Sequence, residues 1–315
     1  MLNAGWIRSA RCAQRRAHLR AEGREDMADL EALLGDFRAE CTDLDSAVAP
    51  LDPTGWRRDT PAHGWTIAHQ IGHLTWTDEI ATLSATDPGA FAEVLREAMR
   101  PLPAASDTAH RASAHPDAAR QETTTPDPSA FVDEAAERAA AAPAPELLDR
   151  WRRGRAALDD ALRAVPAGTK LPWFGPPMSV ASMVSARLME TWAHGQDVAD
   201  ALGIRRPPTA RLRNIAHIGV RTRNFAYLVH GRTPPDEEFR IELTAPDGGT
   251  WAWGPKHAAQ RITGPALDFC LLVTQRRHRD DVALTTSGPD TADWLTIAQA
   301  FAGPAGTGRA PGSFA

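Results

Sequence analysis

The amino-acid sequence predicts a mainly α protein in which a long helical bundle is followed by a small α+β region. From residue 28 to about residue 230, apolar residues recur at intervals of three and four, which is the spacing of amphipathic helices. Beyond Gly231 the residues instead alternate on both sides of an Asp-Gly-Gly sequence, which indicates a β-hairpin. Several amphipathic helices bury their apolar faces most simply by antiparallel packing, so we expect a bundle.

Composition and charge limit the functions that the chain can have. Hydrophobic residues make up 43% of the 315 residues, and no apolar run approaches the roughly 20 residues needed to span a bilayer. The net charge of −5 argues against a broad phosphate-binding surface. Cys12, Cys41 and Cys270 lie far apart and outside any CxxC pattern, which is typical of reduced cysteines. We therefore expect a cytoplasmic protein, monomeric or homodimeric, whose partner is a small molecule rather than nucleic acid or a membrane.

The chain divides into three predicted regions. Residues 1–26 are rich in arginine and have no apolar stretch typical of a secretory signal, so we expect a disordered extension. Residues 27–232 would form the helical bundle, and residues 233–315 the small α+β domain.

The predicted bundle begins with a helix over Ala28–Val48, followed by a loop rich in proline and glycine. A second helix starts near Trp65 or Thr66, and a third covers about Gly89–Met99. The stretch Pro101–Pro128 has few large apolar residues and is predicted to be a long loop.

Helical spacing then resumes and continues to the hairpin. The predicted helices cover Ser129–Ala141, Pro145–Val165, Met178–Leu202 and the sequence RLRNIAHIGVRTRNFAYLV after Pro207 and Pro208. After the hairpin we expect a helix in ALDFCLLVTQRR, a strand in DVALTTSG and a last helix in TADWLTIAQAFAG. Strand, strand, helix, strand and helix together describe a small α+β domain.

In the helix over Met178–Leu202, apolar or small residues occupy almost the whole circumference, apart from one polar stripe. That stripe contains Arg187, Glu190, His194 and Asp197, at helical steps of three and four. Glu190 and His194 are one turn apart and could bind a single ion. The alternative is a solvent-facing stripe in which Arg187 pairs with Glu190.

His73 on the second helix completes a set of three candidate metal ligands with Glu190 and His194. Two histidines and one carboxylate leave coordination positions open, which is typical of a catalytic zinc site. Nickel and iron(II) also accept such ligands. The alternative is that His73 is a hydrogen-bonded core histidine.

Other residues near these ligands are candidates for supporting roles. His69, one turn before His73, is a rival ligand, although a supporting or surface position is the stronger expectation. Asp78 and Asp197 could each hold a ligand imidazole by a hydrogen bond, or lie at solvated helix positions. Arg276, Arg221 and Trp76 are the candidate substrate-binding residues, and Arg276 follows an apolar helix from which it could point back to the bundle.

The sequence WTIAHQIGHLTW, followed about 115 residues later by RLMETWAHGQDVADALG, resembles the mycothiol-dependent maleylpyruvate isomerase family of the DinB-like superfamily. The similarity extends from Met27 to about Ala302 and includes DFCLLVTQRRHRDDVALTTSGPD. The resemblance implies a four-helix bundle that holds a divalent metal, usually zinc, through His73, Glu190 and His194. It also implies mycothiol as cofactor or co-substrate, and an arginine near the active site at about Arg276.

Two departures from the family pattern favour a substrate other than maleylpyruvate. The first is the long stretch Pro101–Pro128, and the second is the aromatic pair Trp173 and Phe174 in the turn before the ligand-bearing helix.

The leading functional hypothesis is a metal-dependent thiol transferase or isomerase. A metal lowers the pKa of a bound thiol, and the thiolate then adds to an electrophilic carbon of a small organic substrate. The alternatives are a hydrolase or lyase that uses metal-activated water, and a helical module that binds a ligand without catalysis. The sequence contains no G-x-S-x-G, P-loop or G-x-G-x-x-G motif, which weakens serine-hydrolase, kinase and dehydrogenase interpretations.

Overall fold

A computed structural model describes residues 29–98 and 130–313 of the chain. These residues form a mainly helical structure that ends in a small four-stranded sheet, so the predicted fold class is confirmed. The predictions for residues 1–26 and for Pro101–Pro128 lie outside the described residues. None of the described helices is long and apolar enough to cross a membrane.

Four long helices form the bundle: α1 over residues 29–48, α3 over Ile67–Thr86, α6 over Ala144–Ala164 and α7 over Val180–Leu202. Helix α3 packs against both α6 and α7. The predicted apolar faces meet in one core, which includes Phe37, Leu44, Ile71, Leu74, Trp151, Leu158, Val184 and Leu188.

Three shorter helices surround α3: α2 over Pro53–Trp56, α4 over Pro88–Ala98 and α5 over Ala130–Ala140. Helix α2 lies in the stretch predicted to be a loop, where the Asp52 carboxylate accepts a hydrogen bond of 2.7 Å from the Gly55 backbone N–H. Helix α5 approaches α3 closely at Gly72, because a Cβ atom there would lie 3.0 Å from the Ala136 carbonyl oxygen.

Helix α7 starts two residues later than predicted. Met178–Ser179 forms a short strand, β2, that pairs antiparallel with β1, Lys170–Leu171. Ser179 then caps the helix, because its Oγ accepts a hydrogen bond of 3.1 Å from the Ser182 N–H. The helix ends at Leu202, and the following residue, Gly203, has a φ of 67°, in the left-handed region that glycine adopts readily.

The prediction of a single helix after Pro208 is wrong. The structure has two helices there, α8 over Leu212–Arg221 and α9 over Arg223–Val229. Thr222 separates them, with its side-chain hydroxyl donating to the Ile218 carbonyl at 3.0 Å. Ala226 and Tyr227 of α9 lie in the core that also contains the sheet residues.

The sheet consists of β3 (Phe239–Thr244), β4 (Thr250–Trp253), β5 (Gln260–Pro265) and β6 (Thr285–Ser287), in the order β4-β3-β5-β6. The predicted hairpin is β3 and β4. Strand β5 was not predicted, although it is central and runs parallel to β3, with Ile241 opposite Ile262. Helices α10 (Ala266–Val273) and α11 (Pro289–Trp294) follow β5 and β6. The last predicted helix is therefore too long, because helical structure ends at Trp294.

Helix α7 belongs to two cores at once. Its residues Val184 and Leu188 lie in the core of the bundle, whereas Met189 and Trp192 pack in the core of the sheet. Helices α8 and α9 also contribute to the core of the sheet. The division at residues 232 and 233 remains a proposal, because the core of the sheet extends into α7.

Candidate metal centre

Helices α3 and α7 bring His73, Glu190 and His194 together. Among the described residues, these three form the one group of at least three histidine, cysteine or acidic side chains placed to share an ion, with their ligand atoms within 4.8 Å of one another. Glu190 Oε2 lies 3.4 Å from His73 Nε2 and 3.2 Å from His194 Nε2. One carboxylate oxygen therefore faces two imidazole nitrogens from two helices.

These separations fit a shared metal ion better than direct hydrogen bonds. Ligand atoms bound to one tetrahedral ion at about 2.0–2.2 Å are about 3.3–3.6 Å apart. Charge-assisted hydrogen bonds between an imidazolium and a carboxylate are shorter, about 2.7–2.9 Å. The distances of 3.2 and 3.4 Å in the structure lie close to the first range and outside the second. The three side chains thus have the chemistry of a divalent-metal site, and the two separations that involve Glu190 suit one ion.

A hydrogen-bond chain sets the proton position on His194. Gln70 Nε2 donates to Thr60 Oγ1 at 2.8 Å, which turns the amide oxygen of Gln70 toward His194. That oxygen accepts a hydrogen bond of 2.5 Å from His194 Nδ1. His194 therefore carries its proton on Nδ1, and the lone pair of Nε2 faces Glu190, as metal binding requires. Sequence reasoning missed Gln70, although it lies one turn before His73.

The electrostatic environment keeps His194 neutral and Glu190 ionised. Burial, with a contribution from His73, lowers the pKa of His194 to about 4. Burial alone would raise the pKa of Glu190, but the neighbouring side chains of His194 and His73 outweigh it and hold that pKa well below its usual value. A neutral imidazole and an ionised carboxylate are the protonation states of metal ligands.

The polar stripe of α7 does not face solvent, so the alternative of an exposed Arg187–Glu190 pair is wrong. Arg187 is only 2% exposed, and its Nε donates to Asp78 Oδ1 at 2.9 Å. Asp78 is fully buried and makes its described hydrogen bond to Arg187, not to a ligand imidazole. Burial raises the pKa of Asp78, and the Arg187 guanidinium opposes that change. The pair joins α3 to α7 in the region of the three candidate ligands.

His69 is directed away from the three-residue cluster. Its Nδ1 lies 2.8 Å from the Thr66 hydroxyl and accepts a bond of 3.1 Å from the Thr66 N–H, which caps α3. Its Nε2 lies 2.6 Å from Glu137 Oε2 on α5. The structure therefore places His69 at the start of α3 in a supporting position.

Tryptophan side chains flank the candidate ligands. Trp65 stacks on His194 with ring centroids 5.9 Å apart, and its Nε1 donates to Asp133. Trp76 lies 6.5 Å from the His73 ring and contacts Phe131 and Phe174. The sequence motif contained Trp65, but no role had been assigned to it.

Asp197 binds arginines, not an imidazole. It is 1% exposed and accepts hydrogen bonds from Arg276 at 2.8 Å and from Arg309 at 2.6 Å. Arg276 thus points back to α7, and Arg309 was missed because it lies in a Gly- and Pro-rich tail. The other candidate arginine, Arg221, is exposed at the end of α8 and does not line the cavity beside His194.

Comparison with known proteins identifies the family. A family model described as the mycothiol maleylpyruvate isomerase N-terminal domain matches residues 37–125 and 104–199, which together span just over half of the chain. A second model, described as wyosine base formation, matches residues 235–287.

Two relatives come from Mycobacterium tuberculosis, Uncharacterized protein MT0041 of strain CDC 1551 / Oshkosh and Uncharacterized protein Rv0036c of strain ATCC 25618 / H37Rv. Each is 53% identical over 283 residues, covering 90% of this chain and 100% of the relative.

Two solved structures share the fold, the mycothiol-dependent maleylpyruvate isomerase and a histidine-to-alanine mutant of it. Each has a TM-score of 0.50 and 15% sequence identity, and the similarity covers 83% of this chain and 95% of the other. At that identity the likeness shows the fold alone, which is the predicted DinB-like bundle with a small C-terminal domain. The family model matches more than half of the chain, and the chain therefore belongs to the mycothiol maleylpyruvate isomerase family.

Proposed function

We propose that this protein is a divalent-metal-dependent enzyme that uses mycothiol to isomerise or conjugate a small electrophilic organic molecule. The observation that carries the proposal is the meeting of His73, Glu190 and His194 at distances suited to one ion. Membership of the family supports the use of a thiol, because the fold relative of known structure is a mycothiol-dependent isomerase.

In this proposal His73, Glu190 and His194 hold the metal, most suitably zinc. Their combined charge is −1 when both imidazoles are neutral, so a divalent ion keeps a net positive charge. Such an ion lowers the pKa of a thiol at an open coordination position and favours the thiolate near neutral pH.

The residues around the ligands would fix their geometry. Gln70 holds the Nδ1 proton of His194 and so directs Nε2 to the ion. The buried Asp78–Arg187 pair would keep α3 and α7 at a constant separation, because breaking a buried ion pair costs several kcal/mol. Trp65 and Trp76 cover the imidazole rings on two sides and would limit the access of water.

The aromatic side chains beyond Trp76 favour a substrate with an apolar part over maleylpyruvate. Phe174 contacts Trp76, Phe131 and Trp173, with ring centroids 5.3–6.1 Å apart. All four rings are partly exposed, and the ring centroid of Trp76 lies 6.5 Å from that of His73. Aromatic surfaces of this kind bind planar apolar groups.

Metal analysis combined with a thiol-dependent assay tests the proposal. We expect about one equivalent of zinc per chain, and consumption of an electrophile only when mycothiol is present. Maleylpyruvate and simple unsaturated ketones would serve as the electrophiles. Glu190→Gln should lose both metal and activity, whereas His69→Gln should keep the metal.

Three results would contradict the proposal in different ways. A chain that binds no divalent ion would support a non-enzymatic ligand-binding module. A metal-loaded chain that acts without any thiol would support metal-activated water. Metal binding that survives in Glu190→Gln would show that the ligand assignment is wrong.

A further inference from the structure

The C-terminal tail forms part of the wall of a cavity of about 250 Å³ that lies next to His194. The loop before α3 contributes Ala62 and Trp65 to the same cavity. The tail contributes Phe301, Thr307, Gly308 and Arg309. Residues 307–313, which we call the flap, therefore border the space beside a candidate metal ligand.

The chain just before the flap is firmly held. The amide of Gln299, which is 1% exposed, donates to the Phe301 carbonyl at 3.1 Å and to the Pro304 carbonyl at 3.0 Å. Its oxygen accepts a hydrogen bond of 2.9 Å from the Gly306 N–H. Gly306 also packs closely on Gln275, because a Cβ atom at Gly306 would overlap Gln275 Oε1. The tail up to Gly306 is therefore a fixed base.

The flap itself buries very little surface. Among residues 307–313 only Arg309 is half-buried, and the others are exposed. Gly308, next to Arg309, has a φ of 66°, and a Cβ atom there would meet nothing within 4 Å. Segments with few buried apolar contacts have a low free energy of local opening. The flap can thus leave its place without unfolding of either core.

One side chain attaches the flap to the helical bundle. Arg309 Nη1 donates to the Pro61 carbonyl in the loop before α3, and Nη2 donates to Asp197 Oδ1 on α7 at 2.6 Å. At the far end of the flap, the Gly312 N–H donates to Asp281 Oδ1 at 2.8 Å. The flap is therefore held at two points, one on the bundle and one beside the sheet.

Release of Arg309 would leave no buried charge unpaired. Asp197 is 1% exposed, but it also accepts a hydrogen bond of 2.8 Å from Arg276 and so keeps a cationic partner. Breaking a buried ion pair is costly chiefly when it leaves a lone charge behind. In addition, the Nε of Arg309 is buried with no hydrogen-bond partner among the described residues, and water would supply one after opening. Both features lower the free energy of the open state relative to the closed state.

We propose that residues 307–313 are a hinged flap that opens and closes the cavity beside His194, with Arg309 as its latch. The hinge is the segment from Gly306 to Gly308, where the fixed base ends. An open flap would admit small solutes, and a closed flap would restrict the access of water. That these solutes are the metal ion and the substrate rests on the proposed function, whereas the hinge and the latch do not.

Labelling of histidines with diethyl pyrocarbonate tests the proposal, because this reagent acylates neutral imidazoles and mass spectrometry identifies each labelled site. The metal-free full chain is used, so that no ion shields His194, and the exposed His217 on α8 is the internal reference. The rate of labelling should follow the population of the open form. We expect Arg309→Gln to raise the rate at His194 about fivefold or more relative to His217.

Asp281→Ala separates movement of the flap from a mere gain of space in the cavity. It removes the acceptor for the Gly312 N–H but leaves every side chain that lines the cavity unchanged. The rate at His194 should rise by about two- to fivefold, less than in Arg309→Gln, because the latch remains.

Arg277→Gln is the matched control. Arg277 pairs with Asp200 on α7 and its side chain is 14% exposed, against 16% for Arg309, but it does not line the cavity. This variant should change the rate at His194 less than about twofold. Circular dichroism would show that each variant is folded.

An unchanged rate at His194 in Arg309→Gln would overturn the proposal. A rise in Arg309→Gln without one in Asp281→Ala would also overturn it, since the larger cavity alone would then explain the result. A wild-type chain that binds no zinc would instead contradict the proposed function, and labelling of the metal-free chain would still decide whether the flap opens.

Discussion

Gln70 determines which nitrogen of His194 is free, although it is not itself a candidate ligand. Its amide is oriented by Thr60, and Thr60 in turn donates to the Trp65 carbonyl at 2.7 Å. The loop before α3 therefore controls the tautomer of a histidine on α7.

Replacement of Gln70 by leucine removes the acceptor for the Nδ1 proton of His194. We expect zinc affinity to fall about 10- to 100-fold, the usual effect of losing such a partner. Competition with a chromophoric chelator would measure the affinity. His69→Gln should change it little, and an unchanged affinity in Gln70→Leu would remove Gln70 from the description of the site.

The pKa of His194 makes the stability of the metal-free protein depend on pH. Because the folded state lowers this pKa from 6.5 to about 4, the unfolded chain binds more protons between these values. Stability from this residue is complete above about pH 6.5 and is lost as the pH falls to about 4. The loss is at most on the order of 3 kcal/mol.

Urea unfolding of the metal-free chain at several pH values between 7 and 4 would measure this dependence. His194→Gln should show a shallower decline than wild type over the same range. Parallel curves would mean that other groups carry the whole pH dependence.

At the scale of elements, two helices meet so closely that only glycine fits between them. A Cβ atom at Gly219 on α8 would lie 2.8 Å from Val273 Cγ2 and 3.1 Å from Phe269 Cε1 on α10. Val273 and Phe269 are fully buried, so neither has space to move away.

Gly219→Ala should therefore destabilise the protein by about 1 kcal/mol, because overpacking of 1–3 kcal/mol exceeds the gain of about 1 kcal/mol in helix propensity. Gly154→Ala on α6 is the matched control, since its Cβ would meet nothing closer than 3.9 Å. That change should stabilise by about 0.5–1 kcal/mol. Denaturant unfolding would compare the free energies of unfolding of the two variants. An increase in both variants would show that α8 and α10 can move apart.

The helices could be predicted from the sequence because each buries a regular apolar face. Strand β5 could not, because one of its two buried residues is the polar Gln260, which leaves Ile262 as the one apolar residue of the alternating pattern. The break between α8 and α9 at Thr222 could not be predicted either, because the helical spacing of apolar residues continues through it. Local patterns do not encode such strands and helix breaks, which depend on tertiary packing.

The candidate ligands could be identified from spacing and from family resemblance, but their surroundings could not. Helical steps place Glu190 and His194 on one face, whereas the burial of Arg187 against Asp78 depends on how α3 and α7 pack. The position of Arg309 could not be predicted, because the tail is rich in glycine and proline and has no periodic pattern of apolar residues.

At the scale of the whole molecule, metal binding should raise thermal stability, because the ligands belong to two helices that separate on unfolding. Zinc at about 1,000 times its dissociation constant should raise the free energy of unfolding by about 4 kcal/mol, which corresponds to a rise of several degrees in the thermal midpoint. Differential scanning calorimetry with zinc and with a chelator would measure the rise. Glu190→Ala should show almost none, and an equal rise in that variant would indicate binding elsewhere.

His73 and Glu190 are 117 positions apart in the chain. A bound ion that joins them would act as a reversible cross-link, which closes a loop of more than a third of the protein. In kinetic terms, α3 and α7 of the loaded chain could part only after the ion leaves. Global unfolding could then be no faster than metal release, and a strong chelator, by preventing the ion from rebinding, would bring the unfolding rate up to that limit.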